Sequence, residues 1–342
     1  MQRVGVEEFL RGAAQHGLID VRSPAEYGRG HIPGAINIPL FDDQERARVG
    51  TVYKQRSRQQ AIDLGLEIVG PKLRQLADQA RQVAAGRPLQ VYCWRGGMRS
   101  EKMAWLFETA GMQTEVLQGG YKAYRQYLHD YFATLTNLIV LQGPTGSGKT
   151  EILQALAEMG EQVLDLEGLA HHRGSAFGGL GMPPQPTTQQ FQNNLLHVTR
   201  SFDLQQPVWV ESESLTIGKV YLPESLWQNM NRAPVVAVTL PVEERIKNII
   251  RHYGHFPVAE LSERIARLRQ RMGGQHVQEA IDLVEKGDLP AAVRLLLHYY
   301  DKAYAHSAHT YKAGRVTEVM LQGNDPEEHA RQVLAAVKNI AV

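Results

Sequence analysis

The single cysteine of this 342-residue chain, Cys93, heads the stretch Cys93-Trp94-Arg95-Gly96-Gly97-Met98-Arg99-Ser100. The apolar run at 89–92 reads as a strand and the residues after the glycines as a helix, so the sulfur is expected at a helix N-terminus. Unpaired N–H groups and the positive end of the helix dipole favour an anion there. Glycines allow successive N–H groups to face one centre, and Arg95 and Arg99 add fixed positive charge. That setting favours the thiolate, the reactive form of the side chain. Trp94, Gly96, Gly97 and Met98 would offer backbone donors to an anion brought to it. The ordinary role of a lone cysteine is a small buried hydrophobe; two glycines and two arginines in one turn argue against it.

A second chemical centre lies at 143–150, Gly-Pro-Thr-Gly-Ser-Gly-Lys-Thr, directly after the buried-strand run 137–142 and before a helical stretch at 151–159. This is the Walker A pattern in its strand–loop–helix setting. Backbone N–H groups of Gly143, Thr145, Gly146, Ser147 and Gly148 can wrap a diphosphate, Lys149 supplies a point charge, and the Thr150 hydroxyl can hold Mg²⁺. Asp165 and Glu167 close one later strand, and Glu211 and Glu213 another. Glu211 is the first choice for an acidic partner and Asp165 the second, with helix capping the competing role. Residues 168–190 form a long glycine- and proline-rich connection in which Arg173 and Ser175 are placed for phosphate contacts. His171 and His172 lack a spaced third ligand, so no metal site is assigned.

These centres need elements to hold them. Short β-type runs occur at 18–21, 35–38, 89–92 and 114–117, with helical spacing at 71–85, 100–110 and 121–132. In the second half, strand runs at 137–142, 162–166, 207–210, 234–240 and 316–321 alternate with helical stretches, which predicts a parallel sheet covered on both faces. Helical patterns at 290–304 and 326–337 close the chain. The expected class is therefore α/β in two domains, 1–133 and 134–342, the second a P-loop sheet domain with a helical C-terminal region.

Composition agrees with two cores, since 43% of residues are hydrophobic. The net charge of +1 announces no global field for nucleic acid, so any such contact needs a local patch. One cysteine excludes an internal disulfide. No signal-peptide core or membrane-length apolar run is visible, which predicts a cytoplasmic protein without membrane partners. Two basic regions stand out. One runs through Arg46, Arg48, Lys54, Arg56 and Arg58, where a solvated face and a polyanion surface are equally open. The other lies at 245–271, where Arg251, Arg264, Arg267 and Arg271 are placed for RNA, against a solvated face balanced by glutamates.

The first 130 or so residues resemble rhodanese domains. The resemblance rests on Asp20-Val21-Arg22-Ser23-Pro24-Ala25-Glu26-Tyr27, on residues 30–39, on the Cys93 loop and on Gln118-Gly119-Gly120-Tyr121. It implies a small α/β domain whose cysteine carries transferable sulfur or selenium. The chain departs in one respect: five residues separate Cys93 from Arg99, one more than is usual in single-domain rhodaneses. A wider ring of donors suits a tetrahedral oxyanion, and phosphatases related to rhodaneses have that longer spacing.

A rhodanese-like module joined to a P-loop module, with His172-Arg173-Gly174-Ser175, resembles the tRNA 2-selenouridine synthases. The resemblance implies conversion of wobble 2-thiouridine in the tRNA anticodon arm into 2-selenouridine, through an S-geranyl intermediate and then replacement by selenium from selenophosphate. Cys93 would attack selenium and carry it, with Arg99 and Arg95 on the phosphate, while Lys149 offsets charge on departing diphosphate. No tightly bound cofactor is expected; geranyl diphosphate and selenophosphate are substrates, Mg²⁺ is an optional ion, and a synthetase supplying selenophosphate is an implied partner. Two alternatives stand beside this: a rhodanese-type phosphatase fused to an ATP-using kinase, and a sulfurtransferase with a regulatory NTPase. The residues leave the prenyl pocket unranked among Phe177, Met182, Phe191 and Phe256.

Overall fold

The computed structural model describes residues 1–307, 316–323 and 325–338. Two compact units emerge, Met1–Tyr131 with Thr187–Asn194, and Phe132–Pro186 with Leu195–Val342.

The first unit is built on β1 (Gln2–Val4), β2 (Gly17–Asp20), β3 (Ile36–Asn37), β4 (Leu89–Tyr92) and β5 (Thr114–Leu117). Their order is β1-β5-β4-β2-β3 and every pairing is parallel. All residues of β2 and β4 are buried, as expected of parallel strands covered on both faces. Ile19, Val91 and Val116 from the sheet meet Met103 and Phe107 from the helix Met98–Thr109. Because β4 is the central strand, Cys93 leaves the sheet at the middle of its carboxyl edge, where α/β sheets bind ligands. The polar segment after β3 folds as two helices, Asp43–Gln55 and Arg58–Val69, whose first turns are capped by the side chains of Asp42 and Ser57. The short β1 escapes sequence reading because it has one buried residue and no alternation to display.

The second unit contains β6 (Leu138–Gln142), β7 (Gln162–Leu164), β8 (Val208–Glu211), a two-stranded antiparallel hairpin of β9 (Thr216–Ile217) and β10 (Val220–Tyr221), then β11 (Val235–Thr239) and β12 (Val316–Met320). The five-stranded sheet has the order β12-β11-β6-β8-β7, all parallel. Again the loop of interest follows the central strand, here β6. Leu141 pairs with Glu211, so the end of β8 stands beside the Walker loop. Leu153 and Leu156 of the helix Lys149–Glu158, with Ala330 and Val333 of Pro326–Lys338, cover the sheet. A separate helical core gathers Leu261, Ile265, Val277, Val284 and Leu296. The basic stretch expected as one helical region is three helices, Val242–Tyr253, Val258–Ala266 and Arg269–Met272. Pro257 stands at the N-cap of the second and disfavours helical backbone in the residue before it.

Candidate active site

Cys93 is 3% exposed, and its Sγ lies 3.2 Å from the Ser100 Oγ and 3.9 Å from the Gly97 carbonyl. The sulfur thus sits under the first turn of Met98–Thr109. Two carbonyls of the loop are used on its far side: Cys93 O accepts from Tyr121 N at 2.8 Å and Trp94 O from Lys122 N at 2.9 Å. Among the described residues, the N–H groups of Trp94, Arg95, Gly96 and Gly97 find no acceptor. The backbones approach closely here. Gly120, at φ +60°, would place a Cβ 2.4 Å from both Cys93 O and Gly96 N, so only glycine fits.

Arg95 is exposed and Arg99 half-buried. Arg99 does not stand free. Its Nη1 and Nη2 reach Glu26 Oε2 and Oε1 at 2.7 and 3.3 Å. Burial pushes the Glu26 carboxyl up, but the Arg99 hydrogen bond and charge outweigh it and hold the group below its ordinary range. Glu26 also accepts from Ser23 N in a capping box. Nothing in the sequence marks Glu26 for the cysteine loop; the only signal is the Ser-Pro-Ala-Glu cap itself.

In the second unit, Gly146 and Gly148 adopt φ of +82° and +81°, the turn a Walker loop requires. Lys149 Nζ donates to Gly143 O at 2.9 Å, and Ser147 is buried with its hydroxyl unpartnered among the described residues. Residues from Val242–Tyr253 brace the loop. Arg245 Nε donates to Thr145 O at 2.8 Å and Asn248 Nδ2 to Gly146 O at 3.0 Å. His252 bonds Glu151. Arg245 is 4% exposed and its guanidinium grips Asp301 at 3.0 and 2.5 Å. Arg245, which opens the basic stretch 245–271, is therefore a buried brace.

The acidic residues divide their labour. Asp165 caps the helix Leu166–Ala170 through Gly168 N at 2.7 Å, the competing role named for it above. Glu211 is 3% exposed; one oxygen accepts from Glu167 N at 2.6 Å and the other has no partner among the described residues. Burial, reinforced by Asp165 and Glu167, pushes its carboxyl well above the ordinary range. Glu167 Oε2 lies 3.4 Å from the Thr150 hydroxyl. Burial beside Glu167 also pushes Glu213 up to about 8. Glu167 and Glu213, paired with each other, were visible at strand ends but carried no signal separating them from Glu211.

A cavity of about 260 Å³ opens from the Walker loop. Residues 145–150, Arg173 and Ser175 line one end, and Ile249, Tyr253, Leu261, Ile265, Leu296 and Tyr300 continue the wall. Of the four pocket residues left unranked by sequence, Phe177 lines this cavity; Phe256 packs in the adjoining core. Phe191 is buried in the segment grouped with the first unit. The Arg173 guanidinium lies 5.7 Å over the Tyr253 ring.

Among the arginines assigned to RNA, Arg267 pairs with Glu263 at 2.6 Å and Arg251 bonds Asn248. Arg264 is half-buried, and its charge is felt by His172. Arg271 is exposed. In the first unit, Arg48, Lys54, Arg56 and Arg58 are all exposed and form no ion pair among the described residues. Tyr53, between them in the chain, is 60% exposed.

Fold and sites together define a rhodanese-like domain followed by a P-loop domain. Residues 6–127 match the family model "Rhodanese-like domain". Residues 136–336 match "tRNA 2-selenouridine synthase AAA domain". The chain belongs to the tRNA 2-selenouridine synthase family. It is 42% identical over 69% of its length to the tRNA 2-selenouridine synthase of Nitrosomonas europaea, and spans 63% of that relative. The protein of that name from Shewanella denitrificans is 32% identical over 92% of this chain and 93% of its own length. For Bdellovibrio bacteriovorus the values are 35%, 85% and 88%. No described helix is long and apolar enough to cross a membrane.

Proposed function

We propose that this chain converts wobble 2-thiouridine of tRNA into 2-selenouridine in two steps, S-geranylation in the second unit and selenium insertion using the Cys93 loop of the first. The observation that carries the reading is the cavity running from the Walker loop into an aliphatic and aromatic wall. A diphosphate held by the Walker loop and a short prenyl chain against the apolar side chains match it.

In the first step the thio sulfur attacks the geranyl C1, the C–O bond breaks and diphosphate leaves, while the N3 proton of the base is lost. The Walker N–H groups, Lys149, Arg173 and Ser175 stabilise the growing negative charge on diphosphate. The Thr150 hydroxyl, 3.4 Å from Glu167 Oε2, is the protein ligand that fits Mg²⁺; the ion would supply further charge neutralisation. Arg251, Arg264 and Arg271 in this unit, and the unpaired cations near Tyr53 in the first, supply RNA backbone contacts. The implied site of action is the cytoplasm, with selenophosphate arriving from a synthetase.

Mass spectrometry of nucleosides from 2-thiouridine tRNA tests the reading. S-geranyl-2-thiouridine should form with geranyl diphosphate alone and become 2-selenouridine when selenophosphate is added. Unchanged nucleosides from folded protein would refute it.

A further inference from the structure

We propose that Cys93 attacks phosphorus, not selenium, of selenophosphate, so that the enzyme passes through a phosphocysteine and releases selenide beside the modified base. The inference rests on the reading above that the first unit receives selenophosphate.

Electron balance selects the phosphorus route. Were the thiolate to attack selenium, an S–Se bond would form and the Se–P electron pair would remain on phosphorus. The departing group would then be phosphite, and phosphate could appear only with a two-electron oxidant. Attack on phosphorus forms an S–P bond and breaks the P–Se bond, with the pair leaving on selenium as selenide. Water then attacks phosphorus, the S–P bond breaks, thiolate is regenerated and phosphate departs with the water oxygen, the released proton passing to solvent. Nothing is oxidised or reduced. Selenide is also the species the second half of the chemistry needs: its attack at C2 of the S-geranyl base forms C–Se and expels geranylthiolate.

The loop is shaped for that sequence. Five residues separate Cys93 from Arg99. The N–H groups of residues 94–97 have no acceptor among the described residues, and the Cys93 and Trp94 carbonyls accept from Tyr121 N and Lys122 N. A ring of donors serves the three oxygens of a transferring phosphoryl group; one selenium atom on sulfur would leave most of them unused. The Ser100 hydroxyl, fully buried, donates to the Gly97 carbonyl at 3.1 Å and lies 3.2 Å from Sγ; rotated onto the sulfur, it would donate as the thiolate leaves phosphorus.

The test mixes the full chain, S-geranyl tRNA and selenophosphate without oxygen or added oxidant, with intact-protein mass spectrometry of quenched samples and ³¹P NMR of products. Wild type should yield phosphate and 2-selenouridine in equal amounts. Ser100→Ala should accumulate a phosphoryl group on Cys93 at least several-fold above wild type, and Cys93→Ser should release no selenide. Selenium found on Cys93, phosphite as product, or a need for oxidant would overturn the inference while leaving the overall conversion standing. Selenouridine formed with no phosphoryl adduct in either protein, and undiminished in Cys93→Ser, would overturn it as well. If wild type forms no selenouridine from S-geranyl tRNA, the underlying reading falls with it.

Discussion

Arg99 and Glu26 meet in a two-pronged ion pair, 2.7 and 3.3 Å, so an anion entering the Cys93 loop competes with a carboxylate for that guanidinium. Glu26→Gln should tighten inhibition of selenium insertion by inorganic phosphate roughly 1.5- to fivefold, the scale of a partly exposed pair. Arg99→Ala should weaken it. A merely structural role for Glu26 would weaken binding in both variants. Since Glu26 is held below its ordinary range, its stabilising contribution is complete above the unfolded value and fades only as pH falls through the depressed one.

Gly120→Ala tests the division of labour. The added Cβ would stand 2.4 Å from Cys93 O and Gly96 N at a φ of +60°, a backbone conformation that alone costs about 1–2 kcal/mol for a non-glycine residue. Selenium insertion should fall by at least tenfold while S-geranyl tRNA still accumulates. Equal loss of both steps in folded protein would place both chemistries in one site.

Ile265→Trp fills the cavity beyond the Walker loop. KM for geranyl diphosphate should rise about tenfold or more, with inorganic diphosphate inhibiting as before, since residues 145–150 are untouched. Unaltered KM would move the prenyl chain elsewhere.

How much of this was legible in the chain follows from the range of the interactions. Both glycine loops were readable because each is a local device: strand, glycine turn and helix start lie within about a dozen residues, and their types encode the turn. The parallel sheet of the second unit followed from buried runs such as 137–142 alternating with helical stretches; in the first unit the runs, 89–92 among them, gave the strands but not their direction. The roles of Glu26, Arg245 and Ser100 were not readable. Glu26 finds Arg99 across 73 positions and Arg245 finds Thr145 across 100, and no periodicity records such pairings. The cavity wall was hidden for the same reason. Ile249, Leu261, Val284 and Leu296 come from four helices, and in sequence each is an ordinary apolar helix position.

The Glu213 carboxyl predicts a pH effect. Raised to about 8 from 4.5, it makes the folded chain bind more protons than the unfolded one between those values, so stability falls as pH rises through that window. Glu213→Gln should therefore unfold at a higher temperature than wild type above about pH 8 and lose that advantage near pH 5. Parallel melting curves across the range, measured by calorimetry, would show a constant difference if Glu213 were ordinary.

Salt dependence tests whether the basic stretch of the first unit binds RNA. Removing Arg48, Lys54, Arg56 and Arg58 together should lower the log–log salt slope of tRNA binding by about 0.7–0.9 for each phosphate no longer neutralised, read by fluorescence anisotropy. Equal charge removal at Arg11, Arg87, Lys286 and Lys302, exposed elsewhere, should leave it near the wild-type slope. Tyr53→Ala should weaken binding and Tyr53→Phe restore it if the ring stacks on a base.

Finally, Thr187–Asn194 counts with the first unit although more than fifty residues separate it from Tyr131. Asn193 donates to the Tyr121 hydroxyl at 2.7 Å and the His31 carbonyl at 2.8 Å, and accepts from Arg125 at 2.8 Å; Gln190 accepts from His31 N at 2.9 Å. A polypeptide cut after residue 133 would carry every residue of the cysteine loop and still lack this plug, stranding a tyrosine hydroxyl and a guanidinium that are otherwise satisfied. The rhodanese-like half is thus a borrower of sequence from its neighbour, and it becomes complete during synthesis only once the chain has been made past the Walker loop.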